Sequence, residues 1–432
     1  MSERCITNIP KEQISSCIAT GSMVALKDGR IMWVWCRKQV WANYSSDGGR
    51  TWSDAVGCKY ENGDPIPGAG GVSVIRLPSG HLGLAHVIES DGEGLAGASR
   101  FSFHVSKDEG KTWSAGVYIN PPGHRDVLIM DCLIQLTTGR LVLPCSVIMG
   151  PTPRREDPNT TSRFGQRFGV CWSFNVFFCF CYTSDDGGRT WQRSFNEVHA
   201  TIDRGVGGGY SMDEPMIAEL DDGRLLLMAN TSLGRLFKAY SEDQGRTWSE
   251  AEPTDLVQRR SPLNLKRIPD SSDLLVIWNQ VSNWEQMNGL FRHRLSCAIS
   301  QDNGETWKHH KNLESFDDVS KLEPEPIESW LLASTIHQPM DRTRYHHAPG
   351  PLKKDHPSCL FHNGNAIITY GANALGDPGV IEKTYGLDMD QVAEELGFTR
   401  SARYGTGPTK SGKWYEGLNR VQVMPLGWFY EE

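Results

Sequence analysis

The sequence has no long hydrophobic run. Its most apolar stretch, Val170 to Tyr182, is too short to cross a bilayer as a helix, and Ser173 and Asn175 interrupt it. The first residues, Met1 to Cys17, carry Glu3, Lys11 and Glu12 and lack an apolar core of leader-peptide length. These gaps argue against a membrane protein. They lead us to expect a soluble protein of the cytoplasm, although a trimmed form of an exported protein would look the same. There is no block of like charge and no low-complexity tract, so no disordered tail is expected. The net charge of −8 argues against a nucleic-acid binder, which would show a basic face. Helix signals are scarce: only Met389 to Leu396, stopped by Gly397, has helical apolar spacing. The 11 cysteines are odd in number and scattered, with Cys36, Cys145, Cys171, Cys179 and Cys181 inside strand-like runs. That pattern fits reduced, buried thiols rather than a disulfide framework. Loop histidines His337, His346, His347 and His356 lack the fixed spacing of a zinc motif, so neither a metal nor a cofactor is expected.

Glycine and tryptophan, by contrast, are plentiful, at 44 and 14 residues. Five of the tryptophans and seven of the glycines fall in one motif, Ser-x-Asp-x-Gly-x-x-Trp, which occurs five times: Ser45–Trp52, Ser106–Trp113, Ser184–Trp191, Ser241–Trp248 and Ser300–Trp307. Ser and Asp can bond to the backbone of their own turn, Gly permits positive φ at the reversal, and Trp can fold back to bury its ring. The motif needs no ligand, and a structural turn is the simplest account of it.

A second repeat lies beneath the first: an apolar run, a polar turn, then another apolar run. It centres on Gly29, Gly80, Gly139, Gly223, Asp273 and Gly364. Each copy has the form of a β-hairpin. Two hairpins make a four-stranded blade, so six copies predict an all-β, six-bladed β-propeller over residues 1–432 as one domain. Loop insertions are expected near 148–168, 330–357 and 373–415. The last apolar segment, from Val421, is expected to complete a blade with N-terminal strands and close the ring.

The five motifs resemble the Asp-box (BNR repeat) of the sialidase-like β-propellers. The resemblance runs from about Ser22 to Tyr370 and implies that the boxes sit on outer hairpins, away from a central site. Asp213-Glu214-Pro215 resembles the family's Asn-Glu-Pro stretch, which implies that Glu214 is a catalytic base. Arg292 falls where the family places one carboxylate-binding Arg, with Arg294 as the alternative; the planar guanidinium fork suits that task. Four family features are missing. Ile18 to Ser22 has no Arg where the first is expected, and Asn230 stands in place of the second. The stretch Arg37 to Asn43 lacks the acid/base Asp. Asp355 or His356 stands where the tyrosine nucleophile should be.

Hairpin flanks expected to face the central funnel supply further candidates. Asp131 could pair with Glu214, since glycoside hydrolysis uses two carboxyls across the bond. Tyr210, after Gly207 to Gly209, and His356 complete the catalytic candidates. Arg292, Arg294, Asn230, His124, Arg37 and Trp284 are candidates for holding substrate. Arg125, Asp126, His86, Glu89, Trp330 and Tyr345 are weaker ones. With one Arg matched of three, the resemblance implies an exo-acting glycoside hydrolase on a carbohydrate other than a common sialoside. Two alternatives remain: a polysaccharide lyase using a His or Tyr base with an Arg neutraliser, and a non-catalytic glycan-binding propeller.

Overall fold

The computed structural model describes residues 4–9, 21–88, 99–149, 176–202, 209–258, 261–283, 292–315, 318–327, 352–374, 391, 399–400, 415–416 and 418–431. Strands are numbered along the chain from β1 (Cys5–Ile9). Each expected hairpin forms, and the strands assemble into six blades. The first holds β2 (Ser22–Ala25), β3 (Ile31–Ser45), β4 (Val56–Gly57) and β5 (Pro67–Gly68); the second holds β6 (Val72–Arg76), β7 (Leu82–Ile88), β8 (Arg100–Ser106) and β9 (Val117–Tyr118). In the third, β10 (Asp126–Val127) and β11 (Ile134–Gln135) both pair with β12 (Leu141–Met149), followed by β13 (Val176–Ser184) and β14 (Gln192–Arg193). A two-stranded ribbon, β15 (Ala200–Thr201) with β16 (Gly209–Tyr210), leads into the fourth blade: β17 (Met212–Glu219), β18 (Leu225–Thr231), β19 (Arg235–Ser241) and β20 (Glu252–Val257). The fifth is β21 (Asn264–Arg267), β22 (Leu274–Gln280), β23 (Arg294–Ser300) and β24 (Lys308–Glu314).

The sixth blade closes the ring. Its order is β25 (Leu352–His362), β26 (Asn365–Ala374), β29 (Leu418–Pro425), then β1, so the N-terminal strand is outermost beside the C-terminal one. A small ribbon, β27 (Thr399–Arg400) with β28 (Tyr415–Glu416), precedes β29. This is the closure expected from the segment at Val421. Leu352 to Pro357, expected within a loop, belong to β25, and the rest of that expected loop from 330 lies outside the described residues. The expected helix at 389–396 lies outside the described residues, except for Gln391. No helix among the described residues is long and apolar enough to cross a membrane.

β3 fills both the second and the third place in its blade. Trp35 and Trp41 stack at 5.8 Å, whereas six residues of unbroken strand would span about 20 Å. The chain therefore reverses between them, at Lys38, whose φ is 61°.

Register fixes the two ends of the molecule. Leu82, Leu141, Leu225 and Leu274, each opening a second strand, pair with Ser106, Ser184, Ser241 and Ser300 of the boxes. The boxes thus lie at the end opposite to the one where the inner strands begin. In the third box, Ser184 Oγ donates to Asp186 Oδ1 at 2.9 Å and accepts from Gly188 N at 2.9 Å. Asp186 also accepts from Arg189 N, Thr190 N and Thr190 Oγ1. Gly188 has φ 91°, and a Cβ there would stand 2.1 Å from the Phe103 ring of the second blade. Trp191 meets that ring edge-on at 5.5 Å, so the box also joins two blades.

The Thr190 backbone and the other donors hold the Asp186 carboxyl down at about 2. A depressed carboxyl stabilises the fold above its ordinary range near pH 4, and that contribution is lost as pH falls towards 2. Asp186→Ala should lower stability by about 1–3 kcal/mol near neutral pH and leave substrate affinity unchanged. Denaturant titration beside ligand titration checks this, and a folded variant that no longer binds would contradict a purely structural box.

Between the blades lie apolar layers, with Trp33, Trp35, Trp113 and Trp278 almost fully buried. All nine described cysteines are free and eight are buried, as expected from their scatter. Burial pushes the eight buried thiols up, Cys36 to about 12, which leaves them protonated and inert.

Candidate active site

Two inner strands carry the same irregularity. In β17 the register jumps from Asp213↔Asn230 to Met216↔Met228; in β25 it jumps from Asp355↔Gly371 to Ser358↔Thr369. Two residues therefore oppose one, and each strand bulges. The bulges share a tripeptide, Asp213-Glu214-Pro215 and Asp355-His356-Pro357. In both, the middle residue is left-handed, with φ 54° at Glu214 and 50° at His356. A residue with a Cβ disfavours that region, and sites of this kind cluster where function demands strain. The bulges aim two side chains at each other across the axis: His356 Nε2 lies 3.9 Å from Glu214 Oε1, both side chains 17% exposed.

The carboxylate is fixed from behind. Asn230 Nδ2 donates to Glu214 Oε2 at 2.8 Å, leaving Oε1 towards His356. Asp213 Oδ1 accepts the Glu214 N–H at 2.8 Å and the Ser146 hydroxyl of β12 at 2.5 Å, which ties the kink to the neighbouring blade. Asn230 is 3% exposed, so its amide serves Glu214 rather than a substrate. Sequence reasoning missed Asp213 and this use of Asn230, although the repeated Asp-x-Pro was present as a signal.

Arg292 is half-buried with φ 58°, and its carbonyl accepts from Lys354 N at 2.7 Å. Lys354 lies two residues before His356, so the Arg292 turn is bonded directly to the strand that carries His356. Arg294 is 2% exposed inside β23, a buried side chain rather than a rim residue.

Asp131 corrects the expectation of a second catalytic carboxyl. It sits in the gap between β10 and β11 with φ 58°, in the register of Glu214, and is 4% exposed. Its Oδ1 accepts from Ser22 Oγ at 2.9 Å and meets Lys266 Nζ at 3.0 Å; its Oδ2 accepts from Asn264 Nδ2 and Cys359 N, both at 3.0 Å. Four donors from three other blades occupy the carboxylate, so Asp131 is a tie across the axis. Tyr210 instead lays its ring against the apolar cluster around Met212 and Val198. His124 is exposed at the same end as Glu214, 3.7 Å from the buried Asp126 carboxylate. Burial pushes the Asp126 carboxyl up while Tyr182 and Asn120 donate to it. Arg125 is buried beside it. Arg37 is exposed at the β3 reversal, also at that end. His86 is fully buried against His104. Trp284, Glu89, Trp330 and Tyr345 lie outside the described residues.

No curated protein has a sequence that matches this chain. Solved structures share its fold at low identity. The sialidase of Trypanosoma rangeli superposes with a TM-score of 0.52 at 14% identity over 96% of this chain and 55% of its own. This chain thus spans about half the length of that enzyme. The α-L-arabinanase of Penicillium chrysogenum, complexed with arabinobiose, gives 0.52 at 12% identity over 97% of this chain and 96% of its own. A protein of unknown function from Dyadobacter fermentans gives 0.51 at 14% identity, with 98% of each chain covered. Residues 39–320, well over half of the sequence, match the BNR repeat-like domain family. With its boxes, its six blades and that match, the chain belongs to the BNR repeat-like domain family of sialidase-like β-propellers.

Proposed function

We propose that the chain is an exo-acting glycoside hydrolase acting on a glycan other than a common sialoside, with Glu214 and His356 as its acid–base pair. The observation that carries this reading is the pair of matched bulges, which strain two residues in order to bring a carboxylate and an imidazole within 3.9 Å. The fold is one that the sialidase and the arabinanase also use, which supports glycoside chemistry in general terms.

Hydrolysis of a glycosidic bond needs a proton delivered to the leaving oxygen and a proton removed from the attacking water. In this reading the two groups, 3.9 Å apart, act as one dyad on the same side of the bond. The Glu214 carboxylate takes the proton of the attacking water and passes it to His356, and His356 gives it to the leaving oxygen, so one proton moves and the dyad returns to its starting state. Arg292 anchors the sugar.

A sialic acid is a poor fit, because Asn230 occupies one of the three Arg positions and is already bonded to Glu214. A sialoside reporter should therefore be cleaved weakly or not at all, while a panel of neutral and uronic aryl glycosides should contain a better substrate. Sialoside turnover matching the best panel member would overturn this assignment. His356 at the nucleophile's place also favours a second reading, elimination from a uronate with Arg292 neutralising the acid. A lyase makes an unsaturated product that absorbs in the ultraviolet, and a hydrolase does not.

A further inference from the structure

Arg292 and His356 belong to different blades, and both have left-handed backbones that local sequence does not favour. Something must hold the two kinks in register, and Lys354 touches both elements. Its main-chain N–H donates to Arg292 O at 2.7 Å, and its Nζ donates to His293 O at 2.9 Å. Lys354 itself is part of β25, two residues before His356. At 3% exposure it is too buried to touch a substrate.

An ammonium at that depth needs a countercharge. Glu314 Oε1, at the end of β24, lies 3.8 Å away. Glu314 also accepts from Arg420 Nη1 at 2.6 Å and from the Tyr370 hydroxyl. Burial alone would push the Glu314 carboxyl up, but Lys354, Arg420 and Tyr370 together hold it below its ordinary range. Arg420 Nε continues to Asn8 Oδ1 at 2.8 Å, on the strand that closes the ring. The chain of contacts runs from ring closure through Glu314 and Lys354 to the Arg292 turn.

We propose that Lys354 is a positioning residue: its buried ammonium pins the Arg292–His293 turn against the strand carrying His356 and thereby sets substrate affinity. This rests on the reading of Arg292 as the sugar anchor. Lys354→Met keeps the length and the main-chain bond to Arg292 O but removes the bond to His293 O. On the best aryl glycoside of the panel, KM should rise tenfold or more while kcat stays within about threefold. Arg292→Ala should raise KM similarly, and the double variant should be no worse than Arg292→Ala alone, because a turn without its Arg has nothing left to position. Glu314→Gln, which loosens the countercharge, should give a smaller rise in the same direction and serves if Lys354→Met does not fold.

A second measurement does not depend on activity. Amide hydrogen exchange at residues 292–294 should speed up at least tenfold in Lys354→Met, with β22 unchanged. An unchanged KM, an additive double variant or unaltered exchange at that turn overturns the proposal. If the protein hydrolyses no glycoside at all, the hydrolase reading fails, and the exchange experiment still decides the role of Lys354.

Discussion

Glu214→Gln is expected to lower kcat by two or more orders of magnitude with little change in melting temperature. The substitution is isosteric. A glutamine oxygen can still accept from Asn230 Nδ2, which donates to the carboxylate at 2.8 Å, and the main-chain bond to Asp213 is untouched. The bulge therefore has no reason to relax. What disappears is the ability to take a proton, and general base catalysis is commonly worth about 10²–10⁴ in rate. The companion change His356→Asn should be comparably damaging, and the two effects should not add, because a dyad that passes one proton fails when either member is gone. Rates on the best panel substrate, set beside melting curves, check both. An unchanged rate in Glu214→Gln would remove Glu214 from the chemistry and shift the reading to elimination centred on His356.

The parts of this molecule that could be read in sequence are those that repeat. Five boxes and six hairpins announce their strands because each copy solves the same local problem: a Gly at positive φ, an Asp bonded to its own turn, a Trp folded back. Gly188 and Trp191 against Phe103 show that solution in contact with the next blade. The ring closure was legible for the same reason, since an apolar strand at each terminus needs a partner.

The site was only half legible. Glu214 and His356 could be placed by their position before an inner hairpin, and their Asp-x-Pro settings are visible in the letters. That both take a left-handed backbone is a tertiary result, imposed by bulges in innermost strands that are each paired on one side, β17 with β18 and β25 with β26. Asn230 was read as an empty Arg position, and only its distance to Glu214 shows that it orients the carboxylate. Lys354 and Glu314 meet from different blades, 40 positions apart in the chain, so no spacing rule could join them.

Asp131 shows how a correct position can carry the wrong chemistry, and its replacement is the second large effect expected here. It stands in the third blade where Glu214 stands in the fourth, yet its four donors come from Ser22, Asn264, Lys266 and Cys359, residues far apart in sequence that only ring closure assembles. Its own N–H adds a bond to Val72 O in the second blade. Asp131→Ala leaves these donors facing a void near the axis, among them the Lys266 ammonium, whose side chain is 21% exposed. Removing one member of a largely buried ion pair costs about 3–5 kcal/mol, chiefly through the charge left behind. Asp131→Asn keeps an acceptor and the shape, so it should cost less. In both variants the molecules that remain folded should hydrolyse substrate with kcat and KM within a few-fold of the parent, because no proton passes through a carboxylate occupied by four donors. Denaturant titration gives the stability loss, and kinetics at a temperature well below the transition give the turnover. If Asp131→Ala keeps its stability and loses its rate, Asp131 belongs to the chemistry after all, and the bulge pair of Glu214 and His356 would have to share its proton with a third group.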